Sequence, residues 1–180
     1  AAPGPSDAQL LAMLQTAVHV PDHGKRIPFR FLRITGDART QLADAVQARL
    51  LQLEPGAGAA VIEKLRSRFT VPPLTIAVIA RLGEDEKIPA SERFSSASCV
   101  CFQLLLAAQA GGFGAQWLTG WPAYDRPLLE HSLGLTVDEQ LVGTVAIGTS
   151  MVAVPERERP DAAALLADWT AHANHRFEHP

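Results

Sequence analysis

The sequence has little cysteine: two residues in 180, Cys99 and Cys101. Residues two apart on a helix point to different sides. They cannot form a C-x-x-C redox pair, and no disulfide framework is available. Two small core residues of a cytoplasmic protein are expected. A large charge of one sign is missing as well. The formal net charge is −3, with acids and bases interspersed, which makes no electrostatic case for nucleic acid. The longest apolar region, 97–110, contains Ser98, Gln103 and Gln109; it is too short and too polar to span a bilayer. Ala1-Ala2-Pro3-Gly4-Pro5 reads as a loop, not as a secretory signal. Walker A and G-x-S-x-G are absent. No G-x-G-x-x-G follows a strand, and Gly111-Gly112-Phe113-Gly114 comes after a helix, the wrong context for a dinucleotide fold. No internal repeat, low-complexity segment or domain boundary interrupts the chain. One domain over 1–180 is expected, and a hydrophobic fraction of 47% excludes a disordered chain.

The residues present divide into helices and strands. Ser6-Asp7-Ala8-Gln9 has the form of a capping box ahead of Leu10, Leu14, Ala17 and Val18 at helical spacing. Pro21 stops that helix. Phe29 to Thr35 reads as a strand, Gly36-Asp37 as a turn and cap. Leu42, Val46, Leu50 and Leu53 continue a second helix, broken at Pro55-Gly56, and a third runs from Ala59 to Arg68. Leu74 to Ala80 is β-branched and apolar throughout, the pattern of a central strand buried on both faces. After a charged loop at 83–89, Ser91 is expected to cap a long helix ending at Gly111-Gly112. That helix is apolar almost all round, which suits the interior or a large subunit interface. Trp117 to Trp121 follows without an assigned element, then a short helix at 127–133. Leu141 to Ile147 is a third strand, and Asp161 is expected to cap a last helix through Trp169 to about Asn174. Three strands among five or six helices give an α+β class.

The most chemistry-rich connector is Val20-Pro21-Asp22-His23-Gly24-Lys25-Arg26-Ile27-Pro28, which places an acid, an imidazole and cations just before a strand. Free backbone N–H groups and cations there can face an anion, while Asp22 suits turn formation. Arg157 and Arg159, between Pro155 and Pro160, are two guanidinium groups in a restrained loop, a pattern suited to phosphate. The alternative is a solvated run in which Glu156 and Glu158 neutralise them. His172, His175 and His179 could share a helix face, but exposed histidines at a chain end are the expectation, and no metal site is assigned.

Three stretches together carry a resemblance. Ala17 followed by Pro21-Asp22-His23 and Pro28-Phe29-Arg30-Phe31, then Ala107 to Trp117, then Gly148-Thr149 with Arg157-Glu158-Arg159-Pro160, are similar in order and spacing to the nitroreductase family of flavin enzymes, in particular its small single-domain bacterial members. The resemblance implies a nitroreductase-like fold: a mostly antiparallel central sheet flanked by helices, in an intertwined homodimer with FMN at the interface. It implies NADH or NADPH as reductant and a small-molecule electron acceptor such as a nitro compound or quinone, with no nucleic acid and no membrane as partner. It places His23 on the flavin, with His19 one helical turn before it and the cation Lys25 beside it able to face the same anion, brings Trp117, Leu118, Thr119 and Gly120 to the flavin, and assigns Arg157 and Arg159 to its phosphate; the alternatives are a loop histidine capping a backbone carbonyl for His23, a surface residue for His19 and a core or interface aromatic for Trp117. Two departures stand out. Relatives often have Arg-Ser where this chain has Leu118-Thr119, and they begin with an Arg-Arg-Ser segment that grips FMN and has no counterpart before Pro3. Either the sequence is truncated at its start or FMN binding is weakened or lost, and the alternative reading is a flavin-deficient relative that binds a ligand or partner without turnover. No general acid or base is assigned, because hydride transfer to flavin does not require the protein to supply one.

Overall fold

The computed structural model describes residues 1–152 and 156–169. The N-terminal helix α1, Asp7–Ala17, begins at the expected capping box: Ser6 Oγ accepts from Gln9 N–H at 3.3 Å and Gln9 Oε1 accepts from Ser6 N–H at 2.9 Å. Strand β1 is Phe29–Thr35, followed by α2 at Asp37–Leu53 and α3 at Ala59–Thr70. Then come β2 at Leu74–Arg81, the long helix α4 at Ala90–Ala110, β3 at Gly114–Leu118, α5 at Arg126–Leu133 and β4 at Glu139–Gly148.

The four strands form one antiparallel sheet in the order β1-β2-β4-β3. The two β-branched runs are the two inner strands. Alternation along β2 sends Ile76 and Val78 to one face and Ala77 and Ile79 to the other, and all four are fully buried. Each face therefore needs its own helical cover. Helices α1 and α4 cover the first face through Leu10, Met13, Val100 and Leu104. Helices α2, α3 and α5 cover the second through Val46, Leu50, Phe69 and Leu129. This is the α+β architecture expected, a mostly antiparallel sheet flanked by helices.

Four local expectations are corrected. Gly114–Leu118 is an edge strand paired to β4, with Trp117 opposite Val145; five residues with two small ones and an exposed Gln116 carry too little strand signal to be read alone. Ser91 does not cap α4. The helix starts at Ala90 behind Pro89, with no side-chain cap, because a proline with extended backbone already sets the entry. Cys101 is buried and its thiol is pushed up to about 12 by desolvation, whereas Cys99 is exposed on the opposite side of α4. In place of the last helix there is a single 3-10 turn at Ala163–Leu165, begun by Asp161, whose carboxylate accepts from Ala163 N–H at 2.9 Å. Its apolar side chains have nothing to pack on: Leu166 is 79% and Trp169 80% exposed. The rest of that expected helix, with His172, His175 and His179, lies outside the described residues.

Among the described residues, no helix is long and apolar enough to cross a membrane, and no group of His, Cys, Asp and Glu side chains could hold a metal ion.

Candidate functional site

Two groups of side chains bear the chemistry, and they lie at opposite edges of the sheet. The first is the turn between α1 and β1. Asp22 organises it: one carboxylate oxygen accepts from Arg26 N–H at 2.9 Å and the other from Ile27 N–H at 2.8 Å. The turn holds Gly24, Lys25 and Ile27 at φ values of 71, 52 and 47°. For a β-branched residue such as Ile27 that region is strained, and strain of this kind persists only where the surroundings fix it. One anchor is the ion pair of Arg26 with Asp85, at 2.6 Å, which holds the Asp85 carboxyl well below the usual range. Another is His23, whose Nδ1 lies 2.7 Å from Glu92 Oε2 in the first turn of α4. His19 donates from Nδ1 to the Gln15 carbonyl at 2.7 Å, so that ring is turned back on its own helix. Lys25 is exposed at the tip.

The second group borders a cleft of about 600 Å³ between α3 and the far end of β3. Trp117, Leu118, Thr119 and Gly120 form one wall. The Trp117 indole lies across Gly143 of β4 and its Nε1–H points to the Val142 carbonyl at 3.4 Å. Gly120 has φ 102° and ψ −175°, a conformation open in practice only to glycine. The opposite wall is Lys64, Ser67 and Arg68 of α3. The Arg68 guanidinium stands so close to Gly120 that a Cβ there would come within 3.4 Å of it.

The two cations of this cleft lack the carboxylate partners that many of the arginines have, as do Lys25, Arg81 and Lys87 among the described residues. Six arginines have carboxylate partners: Arg26 with Asp85, Arg30 with Glu139, Arg33 with Asp7, Arg49 with Asp125, Arg66 with Asp44 and Arg126 with Glu130. Arg39 donates to the Thr70 and Pro72 carbonyls at 2.9 and 2.7 Å. Among the described residues, neither Lys64 nor Arg68 has any such partner. Two cations, three short polar side chains (Ser67, Gln116 and Thr119) and an indole therefore converge on open space. This is the chemistry of a site for a flat, anionic, hydrogen-bonding molecule. Sequence reasoning found the β3 wall and missed the α3 wall. The only signal available was the i, i+4 spacing of Lys64 and Arg68, which puts them on one helix face but does not say what that face meets.

The structure does not bring all the expected residues together within one chain. Trp117, Leu118, Thr119 and Gly120 are assembled. His19, His23 and Lys25 precede β1, at the other edge of the sheet from β3. Arg157 and Arg159 are exposed in the segment after β4 and are not among the residues lining the cleft.

Comparison with known proteins agrees with this architecture. The model of the nitroreductase family matches residues 1–149. The Escherichia coli K12 protein named "Putative NAD(P)H nitroreductase YdjA" is 30% identical over 149 residues, an alignment covering 83% of this chain and 80% of the relative. The solved structure of a nitroreductase-like family protein from Bacillus cereus superposes with a TM-score of 0.80 at 24% identity, over 93% of this chain and 87% of that one. A point mutant of NfnB, an FMN and NADPH-dependent nitroreductase from Sphigopyxis sp. strain HMH, superposes with a TM-score of 0.72 at 16% identity, over 95% of this chain and 92% of that one.

Proposed function

We propose that this chain, which belongs to the nitroreductase family, is an FMN-dependent oxidoreductase that takes its electrons from NAD(P)H and passes them to a nitro compound, a quinone or a related small acceptor. The observation that carries the proposal is the unpaired Lys64 and Arg68 facing Trp117–Gly120 across the cleft. FMN presents a phosphate, a polar pyrimidine edge and a flat ring, and the cleft answers each with a cation, a hydroxyl or amide, and an aromatic wall. When bound, FMN supplies the hydride exchange between nicotinamide and acceptor. The protein's part is to bind, orient and exclude water. Lys64 and Arg68 neutralise negative charge. Ser67, Thr119 and Gln116 offer hydrogen bonds to a polar edge. Gly120 lets the chain approach without a Cβ in the way. The cation missing at Leu118, relative to the family's pattern, has a substitute in Arg68, whose guanidinium reaches the same short segment from α3.

The active unit in this reading is a homodimer. His19, His23 and Lys25 complete a site only by coming from a second copy, since within one chain they stand at the opposite sheet edge. The outward side of α4 supports the same reading. Phe102 and Leu106 are 56% and 43% exposed there, beside Cys99, an apolar stripe of the sort that subunits cover.

Flavin titration tests the function directly. The purified protein should bind FMN and absorb in the blue, and NAD(P)H should bleach that absorbance without oxygen. Arg68→Ala should weaken FMN binding by about tenfold or more, the value of a hydrogen bond to a charged group. A protein that binds no FMN would reject the reading and favour the flavin-deficient relative.

A further inference from the structure

Arg93 is the one charged side chain among the described residues that is buried, at 8% exposure. It belongs to the first turn of α4 and reaches beneath the chain leaving β2. Its guanidinium donates to the carbonyls of Arg81 and Leu82 at 3.4 and 3.2 Å, both long for bonds from a cation. Its Nε–H is buried and has no partner among the described residues. A buried cation without a counter-ion is strongly unfavourable, and an unsatisfied buried donor calls for an explanation.

The acids nearby do not supply that counter-ion. Asp85 is engaged by Arg26 and also accepts from Lys87 N–H and Ile88 N–H, both at 2.9 Å. Glu139 is held by Nε and Nη2 of Arg30, at 2.5 and 2.7 Å, and accepts from Thr136 N–H at 3.1 Å. What Arg93 does face is a polar cleft of about 440 Å³, which it lines with Arg26 and Arg81. This cleft shares no lining residue with the one between α3 and β3.

We propose that this second cleft is an anion subsite in which Arg93, with Arg81 at the rim, takes one phosphate or carboxylate group of a small molecule. The rim also carries Glu84 and Asp138, neither of which has an ion-pair partner among the described residues. These carboxylates repel a polyanion and favour a ligand with a single oxyanion and hydrogen-bond donors beside it. An oxyanion reaching the guanidinium would give Arg93 the charge partner that Asp85 and Glu139, already engaged, do not provide. The proposal is independent of the flavin reading, since it rests on a separate cleft and a separate cation.

The test uses the intact protein, inorganic phosphate and acetate as probes, and chloride to hold ionic strength constant. The Arg93 Nε–H resonance, assigned by triple-resonance NMR, is followed through each titration. Saturable movement with phosphate alone assigns a phosphate subsite; with acetate, a carboxylate subsite. Arg93→Gln should weaken binding of the active probe by about tenfold or more, the value of a hydrogen bond to a charged group. No movement with either probe overturns the proposal, and so does a folded Arg93→Gln variant that binds the probe as tightly as the wild type. Where Arg93→Gln does not fold, the wild-type resonance decides alone.

Discussion

Gly143 is the position where a single methyl group should do the most damage. It sits within β4, outside the left-handed region of backbone space, and an alanine Cβ there would lie 2.1 Å from Trp117 Nε1, 2.6 Å from its Cδ1 and 3.0 Å from the Leu118 carbonyl oxygen. None of these can be tolerated unmoved, and two belong to a stiff, half-buried indole. Overpacking of this kind costs about 1–3 kcal/mol, and for a chain of this size each kcal/mol lowers the melting temperature by about 2–4 °C. The sign makes the test sharp. In an open strand, alanine is more stable than glycine by roughly 0.5–1 kcal/mol, so without the indole Gly143→Ala would stabilise. Thermal and urea unfolding of Gly143→Ala, Trp117→Leu and the double variant form a closed cycle. The cost of Gly143→Ala should shrink by about 1 kcal/mol or more once the indole is gone. A Gly143→Ala protein as stable as the wild type, or costs that simply add, would refute the packing argument. Because Trp117 walls the α3–β3 cleft, Gly143→Ala should also weaken flavin binding.

Four further outcomes are expected. Arg30 holds Glu139 at about 2, down from 4.5; with its folded value depressed, Glu139 contributes stability that is present above about pH 4.5 and is lost as pH falls toward 2. The melting temperature of Glu139→Gln should therefore fall less over that range than that of the wild type, and parallel curves would show that the pair is inert. Leu104→Ala, at a fully buried position under the sheet, should cost about 2–5 kcal/mol in urea unfolding. Arg157→Ala with Arg159→Ala should leave the melting temperature unchanged, since both are exposed, but weaken FMN binding by about tenfold or more if they meet its phosphate; equal affinity would return them to solvent. If the proposed homodimer packs through the outer side of α4, Phe102→Glu should make the protein sediment as monomer, whereas a wild type that sediments as monomer at micromolar concentration would contradict the two-copy site.

The parts of the fold legible in the sequence were those in which local pattern and burial agree. Leu74 to Ala80 and Leu141 to Ile147 are apolar without alternation because they are the inner strands, covered on both faces. The Ser6–Gln9 box announces α1 because both halves of a capping box lie within four residues. What was illegible depends on distant partners. Strand β3 is a strand because β4 offers it an edge, not because of its own five residues. Ser91 has a capping residue's chemistry, but the backbone begins its helix one residue earlier. The segment at 161–169 has helical spacing and no surface to pack on, and spacing alone does not stabilise so short a helix.

The site divides along the same line. A motif read along the chain finds residues that are close in sequence, and so finds Trp117–Gly120 and His23–Lys25 as separate runs. It does not find Lys64 and Arg68, which look like two solvated charges on an amphipathic helix. Their importance comes from what other arginines possess and they lack. Arg26, Arg30, Arg33, Arg49, Arg66 and Arg126 each neutralise a carboxylate of the chain's own surface. Among the described residues without a carboxylate partner, Lys64 and Arg68 border one cleft and Arg81 and Arg93 another. Pairing is a property of the folded chain and not of any segment of it, so the cations proposed here to meet an anion cannot be singled out from local sequence alone.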